Sequence, residues 1–169
     1  MNRVGDTLLH FGSNEELVSA LLDAGVKFVV VGGLAVAWYC STRSADDMDL
    51  LVEPSSENSA RIANALTKLG CTGYTSESFT TVGLQVPLKA RFYAELLTPQ
   101  QDALQFSEVE SSAVDARLFS MPVRLASIST LLQMKRRAVK ATGENMEKHL
   151  NDIKLLEQYD RLVQRVCSQ

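Results

Sequence analysis

A chain of 169 residues is long enough for one domain with a sizeable core. Hydrophobic residues make up 46% and charged residues 22%, the usual mix of a water-soluble globular fold. The net charge of -3 excludes a global basic field that would draw the protein to nucleic acid, although a local basic patch is still compatible with it.

No apolar leader opens the sequence, and the uncharged stretch from Phe28 to Thr42 is too short to span a bilayer. Cys40, Cys71 and Cys167 are scattered, with no CxxC or Cys/His cluster, which argues against structural zinc. Reduced thiols, a cytoplasmic location and no membrane partner are the expectation.

In chain order, Ser13 with Glu16 three residues later reads as a capping box. A helix then runs through Leu17, Leu21 and Leu22 to a stop at Gly25. Phe28 to Val31 is a β-branched run expected to be a buried strand, ended by Gly32-Gly33. Leu34 to Cys40 reads as a short buried helix, Thr42 to Asp46 as a loop, and Asp47 to Glu53 as a second strand closed by Pro54. Ser56 to Leu69 is amphipathic, with Ile62, Ala63, Leu66 and Leu69 on one face and Gly70 as its stop.

Beyond it, Val82 to Lys89, interrupted by Pro87, and Ala90 to Thr98 read as two strands, followed by a helix or loop around Gln101 to Val109. Val114 to Phe119 and Val123 to Ala126 are expected to pair around Ser120-Met121-Pro122. Two helices complete the chain, Leu131 to Lys140 and Met146 to about Val166, broken after Thr142-Gly143. This order indicates an α/β fold, a mixed β-sheet flanked by helices. Residues 1–126 are expected to form the core and 127–169 a helical C-terminal segment packed on it, within a single domain.

The informative block is Val31-Gly32-Gly33, thirteen intervening residues, then Asp47-Met48-Asp49-Leu50. On a strand, residues two apart share a face at a spacing of about 6.5 Å. Two carboxylates so placed can share a hard cation or bracket two, while Met48 and Leu50 face a core. Such a pair is costly to bury unless something positive lies between its members. A glycine pair that ends a strand and opens a helix lets a phosphate approach the free N–H groups at the helix N-terminus. Competing motifs fit worse. The residues after Gly33 (Leu34, Ala35, Val36) break a G-x-G-x-x-G dinucleotide fingerprint, and no Gly-Lys-Ser/Thr of a P-loop is present. Arg43-Ser44-Ala45-Asp46 is not the apolar lead-in that an aspartyl phosphatase nucleophile would have.

The stretch Phe28 to Gly70 resembles the small nucleotidyltransferases of the polymerase-beta superfamily, nearest to the bacterial AbiEii-type proteins of toxin–antitoxin and phage-defence loci. Those proteins show Gly-Gly, an Arg-x-Thr-x-Asp-x-Asp segment and a helix; here the segment is Arg43-Ser44-Ala45-Asp46-Asp47-Met48-Asp49. Tyr93-Ala94-Glu95-Leu96-Leu97-Thr98 is similar to their strand bearing a third carboxylate. Leu131-Leu132-Gln133-Met134-Lys135 and Leu150-Asn151-Asp152-Ile153-Lys154-Leu155-Leu156 are similar to their tail, so the likeness covers roughly residues 13 to 158. Ala45 stands where that group has Thr, and Glu95 where it has Asp.

The resemblance implies a nucleotidyltransferase fold and metal-dependent transfer of a nucleoside monophosphate from a nucleoside triphosphate to a hydroxyl. The acceptor is left open among a tRNA end, a partner protein and a small molecule. Asp47, Asp49 and Glu95 are the expected catalytic and metal-binding residues, with Mg2+ or Mn2+ as the ion. Gly32 and Gly33 are expected to cradle the phosphates. Arg43 is a candidate either for the triphosphate or for clamping its loop through Asp46. Lys135 is a candidate either for the β- and γ-phosphates or for an ion pair with Asp152. Trp38 and Tyr39 read as packing, and Arg136, Arg137 and Lys140 as a solvated face. The Ala45 and Glu95 departures favour an alternative, a non-catalytic nucleotide-binding or antitoxin-like interaction module with the same fold.

Overall fold

The computed structural model describes residues 11–141 and 145–167. Helix α1 spans Phe11–Asp23, so Ser13 lies inside the helix and the capping-box expectation is corrected. The adjacent Asn14 is fully buried and serves a tertiary role. Its amide donates to the carbonyl of Tyr93 (3.2 Å) and its Oδ1 accepts from the Tyr93 N–H (3.1 Å). The expected stop at Gly25 is present. Gly25 takes φ +67°, and the N–H groups of Gly25 and Val26 return to the carbonyls of Leu22 and Leu21, the Schellman pattern that satisfies a helix C-terminus.

Strand β1 (Phe28–Val31) is buried along its whole length, which explains its unbroken apolar run. Helix α2 (Gly32–Tyr39) starts at the next residue. Strand β2 (Met48–Val52) follows a loop; Met48 and Leu50 are fully buried, as their place opposite the carboxylate face requires. Asp47 sits one residue before this strand, which corrects its expected position inside it. Helix α3 (Ser56–Lys68) is capped by Ser55, whose hydroxyl accepts from the Asn58 N–H, and its stop at Gly70 has φ +79°.

The middle strands are shorter than expected. Strand β3 is Gln85–Pro87 and β4 is Ala94–Leu97. Pro87 lies within β3, and β3 is an edge strand, where a missing N–H is tolerated. Helix α4 (Phe106–Ser112) precedes the hairpin of β5 (Val114–Leu118) and β6 (Met121–Leu125). The hairpin turn is Phe119-Ser120, both at positive φ (52° and 67°), and not Ser120-Met121-Pro122. A two-residue turn of this hand matches the twist of the flanking strands. Burial of Phe119 helps offset the cost of that backbone for a bulky residue.

The six strands form one mixed sheet in the order β3-β4-β2-β1-β6-β5. β1 is antiparallel to β2 and parallel to β6, and β2 is parallel to β4. Helices α5 (Ile128–Ala141) and α6 (Met146–Cys167) pack on each other, while the expected break at Thr142-Gly143 lies outside the described residues. The pair is tied to the core through α2. The Tyr39 hydroxyl donates to the Ala126 carbonyl (3.0 Å), the Tyr39 and Tyr159 rings lie 5.6 Å apart, and Leu156 is fully buried. Among the described residues no helix is long and apolar enough to cross a membrane.

Candidate active site

The sheet register brings the chemistry together. Val31, the last residue of β1, pairs with Asp49 on β2, and Asp49 in turn pairs with Glu95 on β4. The glycine pair, the second aspartate and the glutamate therefore come from three neighbouring strands at one end of the sheet. Gly32 has φ +69°, and a Cβ placed on it would lie 1.9 Å from Asp49 Oδ2. Both the backbone and the close carboxylate require glycine there. A Cβ on Gly33 would lie 3.0 Å from Arg43 Nη2. The mouth of α2 is thus flanked by a carboxylate on one side and a guanidinium on the other. Val31 supplies no side-chain cap to the N-terminus of α2, whose first N–H groups have no partner within the helix.

The carboxylates share one electrostatic environment. Burial, then the charges of Asp47 and Glu95, push the Asp49 carboxyl up to about 6; Lys135 and Lys148 pull it the other way without balancing them. Lys89 spans the other two carboxylates, with Nζ 3.1 Å from Glu95 Oε1 and 3.5 Å from Asp47 Oδ2. Among the described residues no three His, Cys, Asp or Glu side chains gather closely enough to form a ready-made cation site. Asp47, Asp49 and Glu95 nonetheless share one rim, and carboxylate oxygens are the donors a hard divalent ion takes.

The opposite wall is cationic and converges on a single buried acid. Asp152 on α6 is fully buried; its Oδ1 accepts from Arg43 Nε (2.7 Å) and its Oδ2 pairs with Lys135 Nζ (2.7 Å). Burial alone would raise the Asp152 carboxyl, but the bonds from Arg43 and Lys135 outweigh it and hold the group below the usual carboxylate range. Arg43 Nη1 also donates to the Ser44 carbonyl. Arg43 does not clamp its loop through Asp46; that alternative is corrected, because Asp46 is exposed while Asp152 offers a buried, charge-assisted partner. Lys135 makes the ion pair with Asp152 that was one of its two expected roles.

Two buried nitrogens have no hydrogen-bond partner among the described residues, Arg43 Nη2 and His149 Nδ1. Buried polar nitrogens of this kind are rare unless a ligand or water completes them. Burial, reinforced by Lys135 and Lys148, keeps the His149 imidazole below its ordinary value and so favours the neutral ring.

Other polar and aromatic side chains make structural contacts. Tyr39 is buried and its phenol is pushed up to about 12 by burial and then by Tyr159; Trp38 meets the Tyr39 ring edge-on at 4.9 Å. Glu53 pairs with Lys27 at 2.9 Å, away from the carboxylate rim. Arg136 pairs with Glu157, and Arg137 donates to the carbonyls of Gln101 and Asp102. Sequence reasoning passed over Lys89, Lys148 and His149. The only signal for Lys89 was its place just past an edge strand that pairs with the Glu95 strand.

No protein-family model and no curated protein sequence matches the chain. Several solved structures resemble it in three dimensions, among them the following three. One is an antigenic nucleotidyltransferase-like protein from Paracoccidioides brasiliensis, with TM-score 0.56 and 15% identity over 85% of this chain and 74% of that one. A crystal structure of ANT(2'')-Ia in complex with adenylyl-2''-tobramycin gives TM-score 0.55 and 16% identity over 92% of this chain and 95% of that one. A solution structure of the same antibiotic-resistance factor gives 0.56 and 18% over 92% and 90%. At such identities the likeness is one of architecture. With its mixed six-stranded sheet, flanking helices and C-terminal helix, the chain has the nucleotidyltransferase fold.

Proposed function

We propose that the protein transfers a nucleoside monophosphate from a nucleoside triphosphate to a hydroxyl. The observation that carries this reading is the convergence of Asp47, Asp49 and Glu95 beside the bare backbone of Gly32-Gly33. The triphosphate would lie over the N-terminus of α2, where the first N–H groups lack partners within the helix and a side-chain cap, and the unpartnered Arg43 Nη2 also favours anionic oxygens. Asp152 holds Arg43 in that orientation.

Asp47, Asp49 and Glu95 would hold Mg2+ or Mn2+. A divalent ion so held supplies polarisation of the α-phosphate and neutralises charge on the leaving pyrophosphate. Glu95 completes this rim or accepts the proton of the attacking hydroxyl. The acceptor oxygen then bonds to the α-phosphorus as the bond to the bridging α–β oxygen breaks and pyrophosphate leaves. The neighbour in complex with adenylyl-2''-tobramycin, an adenylyl group joined to a small molecule, supports a small-molecule acceptor. A tRNA end and a partner protein are the other acceptors left open.

A second reading, a nucleotide-binding or antitoxin-like module without turnover, is favoured by one observation: Lys89 already pairs with Asp47 and Glu95, two of the residues that would hold the ion. Calorimetry of triphosphate binding with and without Mg2+ tests the metal requirement shared by the site. The proposal expects binding to strengthen with Mg2+ or Mn2+, and this dependence to vanish in Asp47→Ala with Asp49→Ala. Equal metal-dependent binding in the double variant would refute it.

A further inference from the structure

We propose that Lys89 is a tethered internal cation: it occupies the gap between Asp47 and Glu95 and must be displaced before a divalent ion can load. This rests on the metal reading of the carboxylate rim given above. The observation is the ammonium spanning both carboxylates, 3.1 Å from Glu95 Oε1 and 3.5 Å from Asp47 Oδ2.

The backbone under Lys89 is fixed. Leu88 donates its N–H to the Ala94 carbonyl (2.9 Å), and the N–H groups of Phe92 and Arg91 return to the Leu88 carbonyl (2.7 and 3.1 Å). Leu88 and Phe92 are buried, so the turn is pinned to the strand that carries Glu95. Only the side chain is free to leave. Its position at the mouth of the site, 53% exposed, lets the ammonium move into water without losing packing.

The contrast with Lys135 defines the role. Lys135 faces Asp152 at 2.7 Å, with side-chain exposures of 9% and 0%, a permanent buried neutralisation. Lys89 makes longer contacts at the surface, where an ion pair contributes little and is readily exchanged. A divalent ion carries twice the charge of the ammonium into the gap between Asp47 and Glu95, and would win the exchange there. Lys89 thereby stabilises the unloaded rim and weakens its affinity for the ion.

The test is Mn2+ binding without nucleotide, with free Mn2+ counted by electron paramagnetic resonance. It uses the wild type, Lys89→Met, Lys89→Arg and Arg91→Met. Arg91 lies on the same turn, carries the same charge and pairs instead with Glu16. Lys89→Met is expected to tighten Mn2+ binding by about three- to tenfold, the scale set by losing two exposed pairs. Lys89→Arg and Arg91→Met are expected to stay within about twofold of the wild type, the charge being kept in one and distant in the other. Unchanged or weaker binding in Lys89→Met, or equal tightening in Arg91→Met, overturns the proposal. Mn2+ binding that survives Asp47→Ala with Asp49→Ala removes the metal reading itself, and absence of binding in both wild type and Lys89→Met overturns both.

Discussion

Gly32 and Asp49 fit against each other so closely that a Cβ on the glycine would sit 1.9 Å from the aspartate Oδ2. The contact joins the end of β1 to β2 and holds the carboxylate beside the N-terminus of α2. It makes the glycine pair inseparable from the aspartate pair, although thirteen residues lie between the two motifs.

The two glycines should therefore respond differently. Gly32→Ala meets both a positive φ and a carboxylate, and is expected to cost about 1–3 kcal/mol and to abolish triphosphate binding. Gly33→Val meets only the end of the Arg43 side chain, which can shift. It should remain folded while binding triphosphate several-fold more weakly. Circular dichroism melts with fluorescence titration of a nucleotide analogue separate these outcomes; unfolding of Gly33→Val would make that glycine structural and remove the cradle's main support.

Asp49 carries a stability cost whose sign follows from its environment. Its folded-state carboxyl is raised from 3.8 to about 6, so the folded protein binds a proton more readily than the unfolded chain within that window. Stability then falls as pH rises from about 4 through 6. Asp49→Asn should stabilise the protein near pH 8 by up to about 3 kcal/mol, with the gain fading by about pH 4. Urea unfolding at the two pH values checks this, and a pH-independent difference would contradict it.

Asp152 behaves in the opposite way. Its folded carboxyl is depressed below 3.8, so its contribution is present above that pH and is lost as pH falls through the folded value. Asp152→Asn leaves Arg43 and Lys135 buried without an anion and is expected to cost about 3–5 kcal/mol at neutral pH. The deficit should shrink below about pH 4 in the same urea experiment. Triphosphate affinity should fall with it, because Arg43 loses its orientation.

The parts of the site that were legible in the sequence are those that depend on local chemistry. A glycine pair after a β-branched run, and Asp-x-Asp with an apolar Met48 and Leu50, specify strand ends and faces within a few residues. What stayed hidden depends on sheet register and distant packing. Arg43 finds its acid 109 residues away on α6, a partner that local sequence does not point to, whereas Asp46 lies three residues along the chain. Lys89 reaches Glu95 only because β3 and β4 pair as a hairpin whose turn projects over the rim. Ser13 and Glu16 carry a capping signature without a helix start, because α1 already spans them. The β5–β6 turn moved by one residue because the bulky Phe119 takes a left-handed conformation that its type disfavours.

Glu95→Gln separates chemistry from binding. The amide fills the same space beside Asp49 but is a poor proton acceptor. Transfer is expected to fall by about 10²- to 10⁴-fold while triphosphate affinity changes only a few-fold. Single-turnover kinetics alongside calorimetry reads both, and unchanged transfer would remove Glu95 as an essential base.

The most direct test is transfer itself. The wild type and the Asp47→Ala, Asp49→Ala double variant are incubated with each α-phosphate-labelled nucleoside triphosphate, Mg2+ and a cell extract containing tRNA, protein and small molecules. The account predicts a labelled acceptor with the wild type and at least one nucleotide, and none with the double variant. No labelled acceptor with any nucleotide would contradict it in favour of the binding module. Labelling that persists in the double variant would show that the carboxylate rim is not the active site.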